Sequence, residues 1–142
     1  AIRIAAPGTV DPAGDGHGGA LGQLDGGFHY ADDRPRRWKS ARNVWVHGYW
    51  AWDWANSYEE VDSIDLEARL VKTRPPHGLY GFRAGQRFYF LNVLEELDSP
   101  GEYFIDTDRG VLYFWPPAPI EKCESARKQG TNARPTRILF GV

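Results

Sequence analysis

Methionine is absent from this chain, and cysteine occurs once, at Cys123. A lone cysteine excludes an internal disulfide and a cysteine-built metal cage. No charge of one sign dominates: 17 Lys+Arg stand against 19 Asp+Glu, a formal net charge of -2. Nucleic acids and anionic membranes need a dominant positive field on their binders, so both are argued against as partners. No apolar run approaches the roughly 20 residues that cross a bilayer as a helix. His17, His29, His47 and His77 are too widely spaced for a two-histidine helical zinc motif, so no metal site is expected. The serines at 40, 57, 63, 99 and 125 lack glycine on both sides, which a nucleophile elbow requires.

What is present is aromatic. Six Trp, seven Tyr and seven Phe occur in 142 residues, with 16 Gly and 10 Pro. Each buried ring removes about 150–250 Å² from water, so a few organise a β core. Glycine and proline supply turns and break helices, as a chain of short strands requires.

Along the chain, Ile2–Ala6 reads as a short strand. The glycine-rich stretch Gly14–Gly27 reads as a loop. Gly14, Gly16 and Gly19 match the dinucleotide fingerprint formally, but Leu21–Gly27 cannot make the helix that would hold a pyrophosphate, and no cofactor is expected. Phe28–Tyr30 begins an ordered element. Arg34, Arg36, Arg37, Lys39 and Arg42 surround Trp38, a pattern that binds single strands in other settings. Here Asp32 and Asp33 adjoin the cluster, and a salt-bridged turn is expected instead.

The segment Trp38–Trp54 holds every tryptophan but Trp115. From Val44 to Trp54 the pattern alternates, as in a strand. Val44, Val46, Gly48, Trp50, Trp52 and Trp54 share one face, and Trp45, His47, Tyr49, Ala51 and Asp53 the other. Val61–Val71 alternates again and reads as one half-buried strand. Leu79–Phe82 and Gln86–Val93 read as further strands, the latter with Phe88 and Phe90 on one face and Tyr89, Leu91 and Val93 on the other. A short helical turn fits within Asn92–Asp98. Glu102–Asp106 and Val111–Trp115 flank Thr107–Gly110, a hairpin signal. Pro116 and Pro117 end it. Glu121–Gln129 is polar and helix-compatible, Thr131–Arg137 is loop-like, and Ile138–Phe140 is a short apolar end.

The expected fold is all-β: an antiparallel β-sandwich-like or partly open barrel-like single domain, 1–142, with a long Gly-rich N-terminal loop. Its core spans 28–119, its flexible N-terminal segment 1–27 and its atypical tail 120–142.

Two kinds of chemistry are readable. Sugars have apolar C–H faces that stack on flat rings, while polar neighbours bind their hydroxyls. Trp45, Tyr49, Trp50, Trp52, Asp53 and Trp54 are the candidate carbohydrate-binding residues, although alternation forces part of this belt into the core. The acidic residues Glu95, Glu96, Asp98, Glu102, Asp106 and Asp108 cluster in sequence near turns, where carboxylates commonly cap backbone N–H groups. No catalytic pair is assigned to them.

Four blocks carry a resemblance: Tyr30–Trp38 (YADDRPRRW), His47–Trp54 (HGYWAWDW), Val61–Leu66 (VDSIDL) and above all Asn92–Pro117 (NVLEELDSPGEYFIDTDRGVLYFWPP). They resemble the insertion domain of bacterial right-handed parallel β-helix proteins, among them the glycoside hydrolases of family 141. The resemblance implies an all-β accessory domain interrupting a β-helix that itself bears the catalytic carboxylates. It implies a polysaccharide or oligosaccharide as ligand, the β-helix domain of a parent protein as partner, and a secreted or periplasmic location. No catalytic residue of that family falls on this sequence, which reads as a detached or truncated insertion domain. The alternative reading is a purely structural or protein-interaction module with no ligand.

Overall fold

In a computed structural model the described residues are 1–14, 16, 19–118 and, for their backbone, 137–140. His17, Glu121–Gln129 with Cys123 and Ser125, and most of Thr131–Arg137 lie outside them. The described residues form strands and short 3-10 turns, with no α-helix. They belong to two compact units, Ala1–Val93 and Leu94–Val142.

The first unit carries β1 (Ile2–Pro7), β2 (Val10–Asp11), β3 (Leu21–Gly22), β4 (Phe28–Tyr30), β5 (Trp45–Gly48), β6 (Ser57–Asp65), β7 (Leu70–Thr73) and β8 (Arg87–Leu91). Six of these close into an antiparallel barrel in the order β1-β4-β7-β6-β5-β8, with β1 pairing β8 to complete the ring. Of the two forms expected, the chain takes the barrel, and the barrel is closed, which leaves no unpaired edge. Part of the segment before Phe28 is built into this wall: β1 pairs with both β4 and β8. β2 and β3 form a separate two-stranded ribbon, joined to Phe82 by a single bridge at Gly22.

Alternation decides what fills the interior. Ile2 and Ile4 from β1, Phe28 and Tyr30 from β4, Val46 from β5, Val61 from β6, Val71 from β7 and Phe88 from β8 are all buried. Phe28 is the hub. Its ring centroid lies 4.9 Å from Phe82, 4.8 Å from Phe88 and 5.4 Å from Trp50. Such tilted and edge-on pairs contribute about 0.5–1.5 kcal/mol each beyond the area they bury.

Four expectations from the sequence differ in the structure. The strand expected over Val44–Trp54 pairs only from Trp45 to Gly48, and its alternation fails after Trp50: Ala51 is buried while Trp54 is exposed. The chain turns at that point, with the Ala55 amide bonded to the Trp52 carbonyl. Val61–Val71 is a hairpin, with β6 and β7 joined through residues 66–69. Asp65 Oδ1 accepts the amides of Glu67 and Ala68, and Arg69 takes a left-handed φ of 51°. Leu79–Phe82 makes no strand, and Val93 is buried rather than facing outward with Tyr89 and Leu91.

The charged segment at 32–37 forms the expected salt-bridged turn. Arg34 pairs with Asp32 at 3.0 Å, Arg69 with Asp33 at 2.7 Å and Arg36 with Glu67 at 3.2 Å. Desolvation pushes the Asp32 carboxyl up, but hydrogen bonds from Arg34 and the charges of Arg34 and Arg37 outweigh it and hold the pKa low. Trp38 packs edge-on against Phe90 at 4.8 Å.

In the second unit, β9 (Tyr103–Asp106) and β10 (Val111–Phe114) form the expected hairpin, with Gly110 at a φ of 64°. β11 (Arg137–Phe140) adds to β10 in parallel. Leu94–Glu96 is the expected helical turn. Two of the clustered acidic residues serve backbone: Glu102 Oε2 accepts the Asp98 and Ser99 amides, and Asp106 Oδ1 accepts that of Arg109.

Candidate functional site: an aromatic face on the barrel wall

Residues directly opposite one another on paired strands share a face. The register around β5 therefore fixes what lies on the outside of the wall. Trp45 stands between Glu60 of β6 and Leu91 of β8, and His47 stands between Tyr58 and Tyr89. Just past the strand, the Tyr49 amide bonds the Arg87 carbonyl, which brings Tyr49 beside Arg87.

Trp45, Tyr58, Tyr89 and Leu91 are exposed, at 41%, 62%, 44% and 36%. These residues form one apolar area on three adjacent strands, whereas single exposed apolar side chains are ordinary. The His47 imidazole stacks on Tyr58 at 4.3 Å with 23° between planes, and its Nε2 lies 3.0 Å from Asn56 Oδ1. The Arg87 guanidinium lies 3.9 Å above the centre of the Tyr49 ring and bonds Asp53 at 2.7 Å. Desolvation lowers the Arg87 pKa, but the contacts to Asp53 and Tyr49 together outweigh it and raise the value, so this cation stays charged.

The six residues expected from sequence to contact sugar separate into three groups. Trp45 and Tyr49 lie on this face, and Asp53 reaches it through Arg87. Trp50 does not: it is 2% exposed and belongs to the core. Its Nε1–H donates to Ser57 Oγ at 2.8 Å, and that hydroxyl donates to Glu59 Oε1, which also accepts the Gly78 amide. The buried carboxylate of Glu59 is thus held by an internal chain of hydrogen bonds. Trp52 and Trp54 lie within the turn: Arg83 lies 4.1 Å above the Trp52 ring, and Trp54 meets Tyr80 edge-on at 5.4 Å.

Tyr58, Tyr89, Leu91, Glu60 and Arg87 were not among the expected residues. Only the pairing register assembles them, and local spacing carries no signal for it. A shallow open cleft of about 370 Å³ lies elsewhere on the same unit, lined by Asp11, Leu21, Leu24, Asp25, Leu79 and Tyr80 among others.

Among the described residues no three His, Cys, Asp or Glu side chains converge on a cation position. His29 Nδ1 bonds the Ala68 carbonyl at 2.8 Å, and His77 Nδ1 lies 3.1 Å from Thr73 Oγ1. Comparison with models of protein families, with curated proteins and with solved structures finds no match for this chain.

Proposed function

We propose that this chain is an accessory, non-catalytic carbohydrate-binding domain, whose ligand stacks on the outer face formed by β6, β5 and β8. The observation that carries the reading is the coexistence of exposed rings and polar side chains on one face. Trp45, Tyr58 and Tyr89 offer ring surface, while Glu60, Asn56 and His47 stand beside them with hydrogen-bonding atoms. Sugars present both an apolar C–H face and an edge of hydroxyls, so each half of the face has a counterpart in the ligand. The resemblance of the sequence to insertion domains of β-helix glycoside hydrolases supports the same ligand class, with bond cleavage assigned to a parent β-helix.

Electrophoresis of the full chain through gels containing dissolved polysaccharides tests this. Retardation in at least one glycan gel, lost in Trp45→Ala with an unchanged melting temperature, is the expected result. Equal mobility in every gel would remove the reading.

A second reading is a protein-interaction module with no sugar ligand. It is favoured by apolar side chains exposed off this face: Trp54 and Leu79 in the first unit, at 69% and 90%, and Tyr103 in the second, at 62%. A soluble partner protein that protects Trp54 and Leu79 from solvent, with no glycan bound, would favour it.

A further inference from the structure

We infer that the aromatic face takes an uncharged polysaccharide along the middle of its chain, rather than a sugar end or a polyanion. This rests on the carbohydrate reading above and narrows it through shape and charge.

Shape comes first. The outer wall of a closed barrel is convex, so this face can stack on a ligand but cannot enclose one. The cleft described above shares no residue with it. Alternate residues on a strand are roughly 6.8 Å apart and neighbouring strands roughly 4.8 Å. The rings from Trp45 to Tyr49 therefore extend about 14 Å along β5, and Tyr58 to Tyr89 about 10 Å across it. That footprint exceeds a single sugar ring in both directions. A monosaccharide or a chain end would cover one ring and leave the others in water, whereas an extended chain covers several at once.

Charge comes second. Charged side chains of both signs lie around the rings: Arg3, Lys72, Arg74 and Arg87 against Asp53, Glu60 and Asp62. The three arginines are already engaged. Arg74 lies 3.6 Å from Glu60 and 3.3 Å from Asp62. Arg87 is held by Asp53 and by the Tyr49 ring. Arg3, opposite Arg87 across β1 and β8, donates to the Gly85 carbonyl at 2.6 Å. A uronate or sulfate group would have to displace Asp53, Glu60 or Asp62 and would meet their repulsion. An uncharged chain meets no such cost, and its hydroxyls can bond the free lone pairs of those carboxylates.

The experiment uses the full chain with two kinds of probe. Neutral xylan and mixed-linkage β-glucan are compared with polygalacturonate and alginate by affinity electrophoresis, at low and high salt. Neutral oligomers from one to six sugars are titrated calorimetrically. Expected are retardation by a neutral polymer that salt leaves unchanged, and affinity rising at least about tenfold from the shortest to the longest oligomer of that polymer. Trp45→Ala, and separately Tyr58→Ala, should each weaken the neutral ligand about tenfold.

Preferential binding of polygalacturonate or alginate, reversed by salt and lost in Trp45→Ala, would overturn the inference and leave the face as a sugar site. A monosaccharide binding as tightly as the hexamer would do the same. No retardation by any polymer would remove the carbohydrate reading itself, and this inference with it.

Discussion

The Trp50 indole occupies the space that a side chain on Gly48 would need: a Cβ built at Gly48 would lie 2.5 Å from the Trp50 ring. Gly48 sits on the inner face of β5, opposite Phe88 and Ser57. Its lack of a side chain lets the ring fold back over the strand and reach Phe28 and Phe82. This contact separates the two fates of the tryptophan-rich segment, since it holds Trp50 inside while Trp45, on the opposite face of the same strand, stays outside.

Gly48→Ala should therefore be destabilising, because the nearest atoms belong to a large ring fixed on several sides. Overpacking of this kind costs about 1–3 kcal/mol. Urea denaturation followed by circular dichroism measures it. A variant as stable as the parent would show that the ring has room to move.

Ser57 stands between the Trp50 indole and the Glu59 carboxylate, accepting from one and donating to the other. Ser57→Ala leaves a buried donor and a buried acceptor each short of a partner. The expected loss is about 1–3 kcal/mol, with a changed tryptophan signal in the near-ultraviolet circular dichroism. Ser57→Thr keeps the hydroxyl and should restore the signal.

Burial raises the pKa of the Tyr30 phenol, and the nearby charges of Arg36 and Arg69 offset only part of the rise. In the unfolded chain the phenol ionises near its ordinary value of about 10. Below that value its contribution to stability is fully present, and it is lost as pH rises through the higher folded pKa. Urea midpoints should fall as pH rises above about 10, and fall less steeply in Tyr30→Phe. Identical slopes in the two proteins would show that Tyr30 titrates as it does when unfolded.

Much of this architecture is legible in the sequence where the signal is local. The β9–β10 hairpin follows from apolar runs around Thr107–Gly110, and Gly110 takes the positive φ such a turn needs. The division of Val44 and Val46 from Trp45 and His47 follows from alternation alone. The β6–β7 hairpin is hidden because residues 66–69 include no glycine, proline or asparagine, and its one turn-forming residue, Asp65, also fits the alternating pattern. Arg69 adopts the left-handed conformation that glycine or asparagine more often supplies, and the Asp65 carboxylate takes the place of a turn sequence. The aromatic face was half visible for a different reason. Trp45 and Tyr49 stand out in composition, but Tyr58 and Tyr89 join them only once β6 and β8 flank β5, and that adjacency is set by barrel closure. Trp50 continues the alternation of Val44, Val46 and Gly48 and so falls on the buried face, where the space beside Gly48 takes its ring.

The indole N–H signals in a nitrogen–proton correlation spectrum test the central claim most directly, because each tryptophan reports separately. On titration with a neutral oligosaccharide, the Trp45 signal should move progressively while that of Trp50, held by Ser57, stays in place. Movement of Trp50 or Trp54 with Trp45 unaffected, or an unchanged spectrum with every glycan tried, would contradict the assignment of sugar binding to the outer wall of the barrel.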